Sequence, residues 1–343
     1  MPKQTTLKRR KSWPAWFYAA YGAGVIVLLL GAGEMAVRLK GLRPWVSEPL
    51  LIRVEPGGRF FQPDAVAGYR HLPGEFRVRL PDGYTFHVTH GDDTLRLTSR
   101  AGSGEPDSRP EIWVLGCSFT HGWSLNDEET YPWLLQERLP RYRIVNFGVD
   151  GYSNLQSYLQ LQQALDERGS PAAVVMAYAQ FHDMRNILAR QARKAFVPWN
   201  RLGLLILPYA RLAGEEDFSF RMEEILYSEF PLMRYSALSH YLETIYNSRE
   251  EEIYRGREVS RAILAKMAGV CAERDILFAI AEIAHPAVMM SFAESRSIPA
   301  IDISVDLRIK ANNNMPHDAH PSALAHRRYA AALGTFLREN LPR

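Results

Sequence analysis

The apolar positions of this chain change period several times, and each change predicts a different element. Ala15 to Gly33 (AWFYAAYGAGVIVLLLGAG) is almost wholly apolar and uncharged. At about 1.5 Å rise per residue, such a run reaches across a bilayer core of about 30 Å. The apolar pattern continues through Met35 and Val37, so a membrane helix over 15–38 is expected. Residues 43–110 carry short alternating runs rich in Gly and Pro. There Glu75–Leu80 and Tyr84–His90 read as two strands joined by the turn Pro81-Asp82-Gly83. From Glu111 onward, apolar runs of strand length alternate with helical patterns. The expected strands are Ile112–Leu115, Arg143–Phe147, Ala172–Tyr178, Ile276–Ile283 and Pro299–Ile303. The expected helices lie around Tyr131–Leu139, Asn154–Glu167, Ser248–Arg274 and Ala323–Asn340. Continuous apolar strands between helices indicate a parallel sheet covered on both faces, an α/β fold in three layers. The stretch 187–247 breaks this rhythm and reads as a mostly helical insertion above the strand ends.

Charge refines this division. The 343 residues hold 41 Lys and Arg against 38 Asp and Glu, a formal net charge of +3. Five of those bases (Lys3, Lys8, Arg9, Arg10, Lys11) fall within 1–14, and the remainder is close to neutral. No nucleic-acid partner is therefore expected. A basic tail before an apolar helix places the amino end in the cytoplasm and the bulk of the chain outside it. A cleaved signal peptide, with Gly31, Ala32 and Gly33 near the cut, is the competing reading. Either way the expected location of residues 111–343 is extracytoplasmic, at the periplasmic face of the inner membrane. The two cysteines, Cys117 and Cys271, are expected as free, buried thiols.

Three stretches carry candidate chemistry. In Ile112–Gly122 (IWVLGCSFTHG) a buried strand runs through Gly116 and Cys117 into Ser118 and a helical stretch. A serine there stands at the carboxyl edge of the sheet, near a helix amino end suited to an anion. Its hydroxyl needs a base to act as a nucleophile; the plainer role is a helix cap. In Val145–Asn154 (VNFGVDGYSN) a second strand ends in a turn where Gly151 can bring its N–H close to a substrate carbonyl. Taken alone, an ordinary turn glycine is the plainer explanation. In Pro316–His326 (PHDAHPSALAH), Asp318 lies two residues before His320 and can fix its tautomer. The histidines His317, His320 and His326 near one aspartate also suggest a metal site. The serine motif accounts for His320 better, so no metal or cofactor is expected. His326 is expected to pack or cap in the last helix, and His317 to lie at the rim.

In this order, Gly-x-Ser-x-x-x-Gly, Asn-x-Gly-x-x-Gly and Asp-x-His-Pro resemble the motifs of the SGNH/GDSL hydrolases. The likeness covers about Glu111 to Leu341 apart from the insertion. The segments GWSLNDEETYPWLLQERL, GYRHLPG and TLRLTS are similar to those of envelope-associated members. The resemblance implies a flavodoxin-like three-layer α/β/α sandwich. It implies Ser118 as nucleophile, His320 as base and Asp318 as its orienting partner. It also implies an oxyanion hole from the N–H groups of Ser118 and Gly151, completed by a side chain after the third strand. Two departures stand out. Cys117 occupies the place of an Asp, and Cys117 itself becomes a rival nucleophile. In Gln180-Phe181-His182-Asp183, His182 stands where the family has Asn. Its imidazole can donate an N–H, with Asp183 holding the tautomer; Gln180 or Asn186 are the other candidates for the role. His121 and Asn154 are further residues expected beside the site.

The resemblance implies a serine esterase that removes or transfers O-acetyl groups on an envelope or exported polysaccharide. A lipid or lysophospholipid esterase with the same triad is one alternative. The other is a degenerate domain serving as a binding or scaffold module in polysaccharide biosynthesis or export machinery. The expected partners are thus an ester of a carbohydrate or lipid, the membrane and export machinery.

Overall fold

The computed structural model describes residues 13–46, 51–100, 108–202 and 205–341. The chain forms two compact units: 1–48 with 228–247, and 49–227 with 248–343.

The larger unit is built on five parallel strands: β1 Glu111–Gly116, β2 Arg143–Gly148, β3 Ala173–Tyr178, β4 Leu277–Ala284 and β5 Ala300–Val305. Their order across the sheet is β2-β1-β3-β4-β5, every neighbouring pair being parallel. Parallel neighbours require crossovers, and helices supply them. Successive side chains leave a strand on opposite faces, so both faces of a covered sheet must be apolar. Trp113 and Leu115 of β1 pack with helices Asn154–Arg168 and Gly256–Ala272. Ile112 and Val114 pack on the other face with helices Tyr131–Arg138 and Ala323–Asn340. This is the expected three-layer α/β/α sandwich. The strand order reverses between β1 and β3, which puts a crevice at their carboxyl ends.

Ahead of the sandwich, Arg53–Glu55, Gly74–Arg79 and Thr85–His90 make an antiparallel three-stranded sheet. In its middle strand Phe76 and Val78 are buried while Glu75, Arg77 and Arg79 are exposed, the period of two that made this hairpin readable. Phe61–Asp64 and Gly68–His71 pair as a separate ribbon.

Two expectations need correction. The stretch 187–247 is not mostly helical. It contains the antiparallel pair Ile206–Leu212 and Phe218–Glu224, besides the helix Arg190–Phe196. In the second strand apolar Phe218, Phe220 and Met222 alternate with Ser219, Arg221 and Glu223, a strand period hidden beside a continuous apolar run. The single helix expected over Ser248–Arg274 is two, Ala237–Ile253 and Gly256–Ala272. Arg255 between them takes a left-handed backbone (φ 53°), which ends one helix before the next begins.

In the smaller unit the helix Ala15–Leu39 is long and apolar enough to cross a membrane. The basic run Lys8–Lys11 lies outside the described residues. Near the helix end, Glu34 accepts hydrogen bonds from Ser236 Oγ (2.7 Å), Ala237 N (2.9 Å) and Leu238 N (2.8 Å). It thereby caps the start of helix Ala237–Ile253.

Candidate active site

Ser118 opens a four-residue helix immediately after β1, and 6% of its surface is exposed. Gly116 makes the approach possible: its φ is 159°, and a Cβ there would stand 2.2 Å from Thr120 Oγ1. Because Ser118 begins the helix, its N–H has no acceptor within that helix. The Ser118 hydroxyl donates to His320 Nε2 at 3.0 Å. Asp318 accepts from the His320 Nδ1–H, and its Oδ1 also accepts from the His320 backbone N–H at 2.6 Å. Residues 202 positions apart are thus joined into a serine–imidazole–carboxylate chain.

Trp123, which sequence reasoning passed over, donates from Nε1 to Asp318 Oδ2 at 3.0 Å. Burial pushes the Asp318 carboxyl up, but bonds from His320 and Trp123 outweigh it and hold the group below the ordinary carboxylate range. Asp318 therefore stays ionised, as an imidazolium partner must be.

The loop that follows Ser118 is pinned from below by Arg96, in the TLRLTS segment. This buried guanidinium donates to the carbonyls of His121 (2.9 Å), Gly122 (2.7 Å) and Leu125 (2.7 Å), and to Asp127 Oδ1 (2.9 Å).

The remaining sequence candidates divide clearly. Gly151 faces the same cavity as Ser118 and His320. Its φ is 82°, and a Cβ would meet Tyr69 Oη at 2.5 Å and a Phe196 ring carbon at 2.9 Å. Only glycine fits there. His182 is completely buried and is not among the residues lining that cavity. The Ala179 N–H donates to its Nδ1 at 3.2 Å, so the proton sits on Nε2, which is buried and unpartnered among the described residues. Burial, and then the charge of Arg185, push its basicity well down and keep it neutral.

Asp183 does not set that tautomer. It accepts instead from Tyr178 Oη (2.7 Å), Ser260 Oγ (2.5 Å) and Arg257 Nε (2.5 Å), a buried brace between β3 and helix Gly256–Ala272. Asn186 is likewise committed elsewhere, to Leu155 N (2.9 Å) and Ser260 Oγ (2.8 Å). Gln180 is exposed and away from the cavity lining. Asn154 is buried at the start of its helix, with both side-chain polar atoms unpartnered among the described residues.

Cys117 is buried and outside the cavity lining; burial pushes its thiol pKa up, which removes the thiolate a nucleophile needs. Cys271 is also free and buried. His326 caps a different helix from the one expected, accepting from Tyr131 N at 2.9 Å. His317 stacks on Tyr84 and bonds to Asp82 at 2.5 Å. Neither forms a metal cluster with His320. His121 is fully buried behind the serine, against two other histidines.

The cavity has a volume of about 950 Å³. Its polar end holds Ser118, His320, Asp318 and Arg185, and its wall is largely apolar, including Phe60, Phe61, Phe196, Trp199, Ile206 and Met222. Arg185 donates to Tyr152 O at 3.1 Å and stands 4.5 Å over the Phe181 ring.

A serine after the first parallel strand, a glycine turn after the second and an Asp-x-His near the carboxyl end thus meet at one cavity. No family model and no curated protein matches the sequence. Among solved structures the chain is similar to TesA, at 13% identity, over 67% of this chain and 98% of that chain, with a TM-score of 0.38. It is similar to a GDSL-like lipase from Bacteroides thetaiotaomicron, at 13% identity, over 70% and 94%, with a TM-score of 0.37. It is also similar to the psychrotrophic esterase EstA from Pseudoalteromonas sp., at 11% identity, over 67% and 97%, with a TM-score of 0.37.

Proposed function

We propose that the protein is a serine ester hydrolase in which Ser118, His320 and Asp318 form the triad. The observation that carries this reading is the 3.0 Å bond from the Ser118 hydroxyl to His320 Nε2, with Asp318 on the opposite ring nitrogen. Ser118 Oγ adds to the ester carbonyl carbon as its proton passes to Nε2. The carbonyl electron pair moves onto oxygen, where the N–H groups of Ser118 and Gly151 stand as donors. His182 lies outside the cavity lining, so the donors of this proposal are the N–H groups of Ser118 and Gly151. Collapse of the tetrahedral species expels the alcohol, which takes the proton from His320. Water, or a sugar hydroxyl in a transferase, then releases the acyl group by the same steps in reverse.

Two substrate classes follow from different observations. The resemblance in motif order and the membrane helix support O-acetyl groups on an envelope polysaccharide, handled outside the cytoplasm beside export machinery. The volume and apolar wall of the cavity support an ester with a longer acyl chain, as in a lipid or lysophospholipid. Aryl esters of increasing chain length separate them: falling kcat/KM beyond acetyl supports the first class, rising values the second. The mechanism itself is tested by fluorophosphonate labelling of the full chain in detergent. Labelling at Ser118, abolished in Ser118→Ala together with turnover, is expected. Saccharide binding that persists in Ser118→Ala, with no ester turned over by the native chain, would instead leave a binding module.

A further inference from the structure

Three histidines from three separate segments meet in the interior of the larger unit. His71 ends the strand Gly68–His71, His90 ends Thr85–His90, and His121 ends the helix that Ser118 begins. All three are buried, and one ligand atom from each lies within 4.8 Å of the other two. Asp150, in the turn after β2, adds a buried carboxylate. Its Oδ2 is 3.0 Å from His71 Nε2 and 3.1 Å from His121 Nδ1. None of these four side chains lies in the triad.

Proton accounting favours a cation between His90 and His121. His90 Nδ1 donates to the Leu72 carbonyl at 2.8 Å, so in the neutral ring Nε2 carries the lone pair. That lone pair faces His121 Nε2 at 3.0 Å. Two nitrogens bound to one zinc at about 2.0–2.1 Å sit roughly 3.3 Å apart in a tetrahedron, close to this separation. If a proton fills the gap instead, donated by His121 Nε2, then a neutral His121 turns its Nδ1 lone pair on the Asp150 carboxylate. At 3.1 Å the oxygen it meets is Asp150 Oδ2, and Asp150 Oδ1 is buried and unpartnered among the described residues. His71 stacks on each of the other rings at 4.3 Å, at 14° to His90 and 30° to His121, so its ring has to turn for a nitrogen to meet the same ion. A carbonyl that fixes the tautomer of a ligating histidine is the usual outer support of such a site.

We propose that His71, His90 and His121 bind a divalent transition metal of the zinc class in a buried structural site, with Asp150 as the outer carboxylate that orients His71 and His121. Imidazole donors suit zinc, and the three histidines lie outside the cavity lining, away from the ester. The ion ties three segments together. Through His121 it holds the helix of the nucleophile, and through Asp150 it holds the residue before Gly151. It is therefore a positioning site for the triad and oxyanion turn, separate from the ester chemistry.

Elemental analysis of the full chain, purified in detergent without chelator, is expected to give close to one metal ion per chain. Removal with a chelator should lower the melting temperature, and added zinc should restore it. Cobalt(II) added to the stripped protein should give the visible absorption of a four-coordinate nitrogen and oxygen site. His90→Gln and His71→Gln should each bind less than a tenth of the native metal. Their fold is checked by circular dichroism, and Asp150→Asn offers a milder variant expected to weaken rather than abolish binding. Ser118→Ala should bind metal in full, which makes loss of the esterase reading distinguishable from loss of the metal site. Absence of stoichiometric metal from the native chain, with no cobalt absorption after reconstitution, would overturn the proposal in favour of a shared proton. So would equal metal content in the native and His90→Gln chains.

Discussion

At the scale of single residues, the site depends on side chains that fix the charges of others. Trp123 is the clearest case, because its indole N–H bonds the Asp318 oxygen that His320 does not use. Trp123→Phe keeps the ring and removes the donor. A hydrogen bond to a charged group is worth about 1.5–3 kcal/mol, and partial exposure reduces that. A fall in kcat of roughly tenfold is expected, with a smaller change in KM. A shift in melting temperature without a fall in kcat would make Trp123 a packing residue only.

Glu282, buried at the end of β4, presents the opposite electrostatic case. It accepts from Val288 N at 2.7 Å and from Met289 N, while its other oxygen is unpartnered among the described residues. Burial pushes its pKa up to about 7 from an ordinary 4.5, against the pull of those two amides. The folded chain therefore holds this proton more tightly than the unfolded chain. Stability is fully present below about pH 4.5 and is lost as pH rises through about 7. After discounting for solvent, the loss is about 1–3 kcal/mol. Glu282→Gln should accordingly raise the melting temperature by a few degrees at pH 8 and change it little at pH 5. Equal effects at both values would show that the carboxyl is not titrating in that window.

At the scale of elements, the nucleophile helix is only four residues long and cannot hold itself in place. Arg96 supplies the missing rigidity by filling three carbonyl acceptors of the loop behind it. Arg96→Met leaves those carbonyls and Asp127 without their partner in the interior. Breaking a buried pair in this way costs about 3–5 kcal/mol, which urea unfolding should show as a lower midpoint. Arg96 also illustrates what a sequence shows. That Ser118, Asp318 and His320 belong together was legible because each lies in a short local pattern: strand to Gly-x-Ser, and Asp-x-His-Pro before a helix. The parallel sheet was legible because continuous apolar runs alternate with helical periods. The hairpin at Ile206–Leu212 and Phe218–Glu224 was not, since its first strand lies in an unbroken apolar run. Nor were the roles of Asp183 and Asn186, whose neighbour Ser260 is more than 70 residues away. The cluster of His71, His90 and His121 with Asp150 has no local signature at all, because four chain segments converge to make it.

At the scale of the whole molecule, an apolar helix and the unit that carries Ser118 and His320 belong to one chain. Ala15–Leu39 is 25 residues long, about 37 Å at 1.5 Å per residue, enough for the hydrocarbon core. Its only acidic residue, Glu34, sits near one end, where Arg38 and the start of helix Ala237–Ile253 satisfy it. A charge satisfied by protein at the edge of the span costs far less than one facing lipid. The segment 228–247 joined to that end exposes Leu232, Tyr235, Leu242 and Tyr246, and aromatic residues favour the bilayer interface. Together these features predict a chain that remains in the membrane pellet after alkaline carbonate washing and needs detergent for release. With the basic tail retained inside, protease added to spheroplasts should digest the unit 49–227 with 248–343 without prior lysis. A shortened, carbonate-soluble product would show that the apolar helix is removed as a signal.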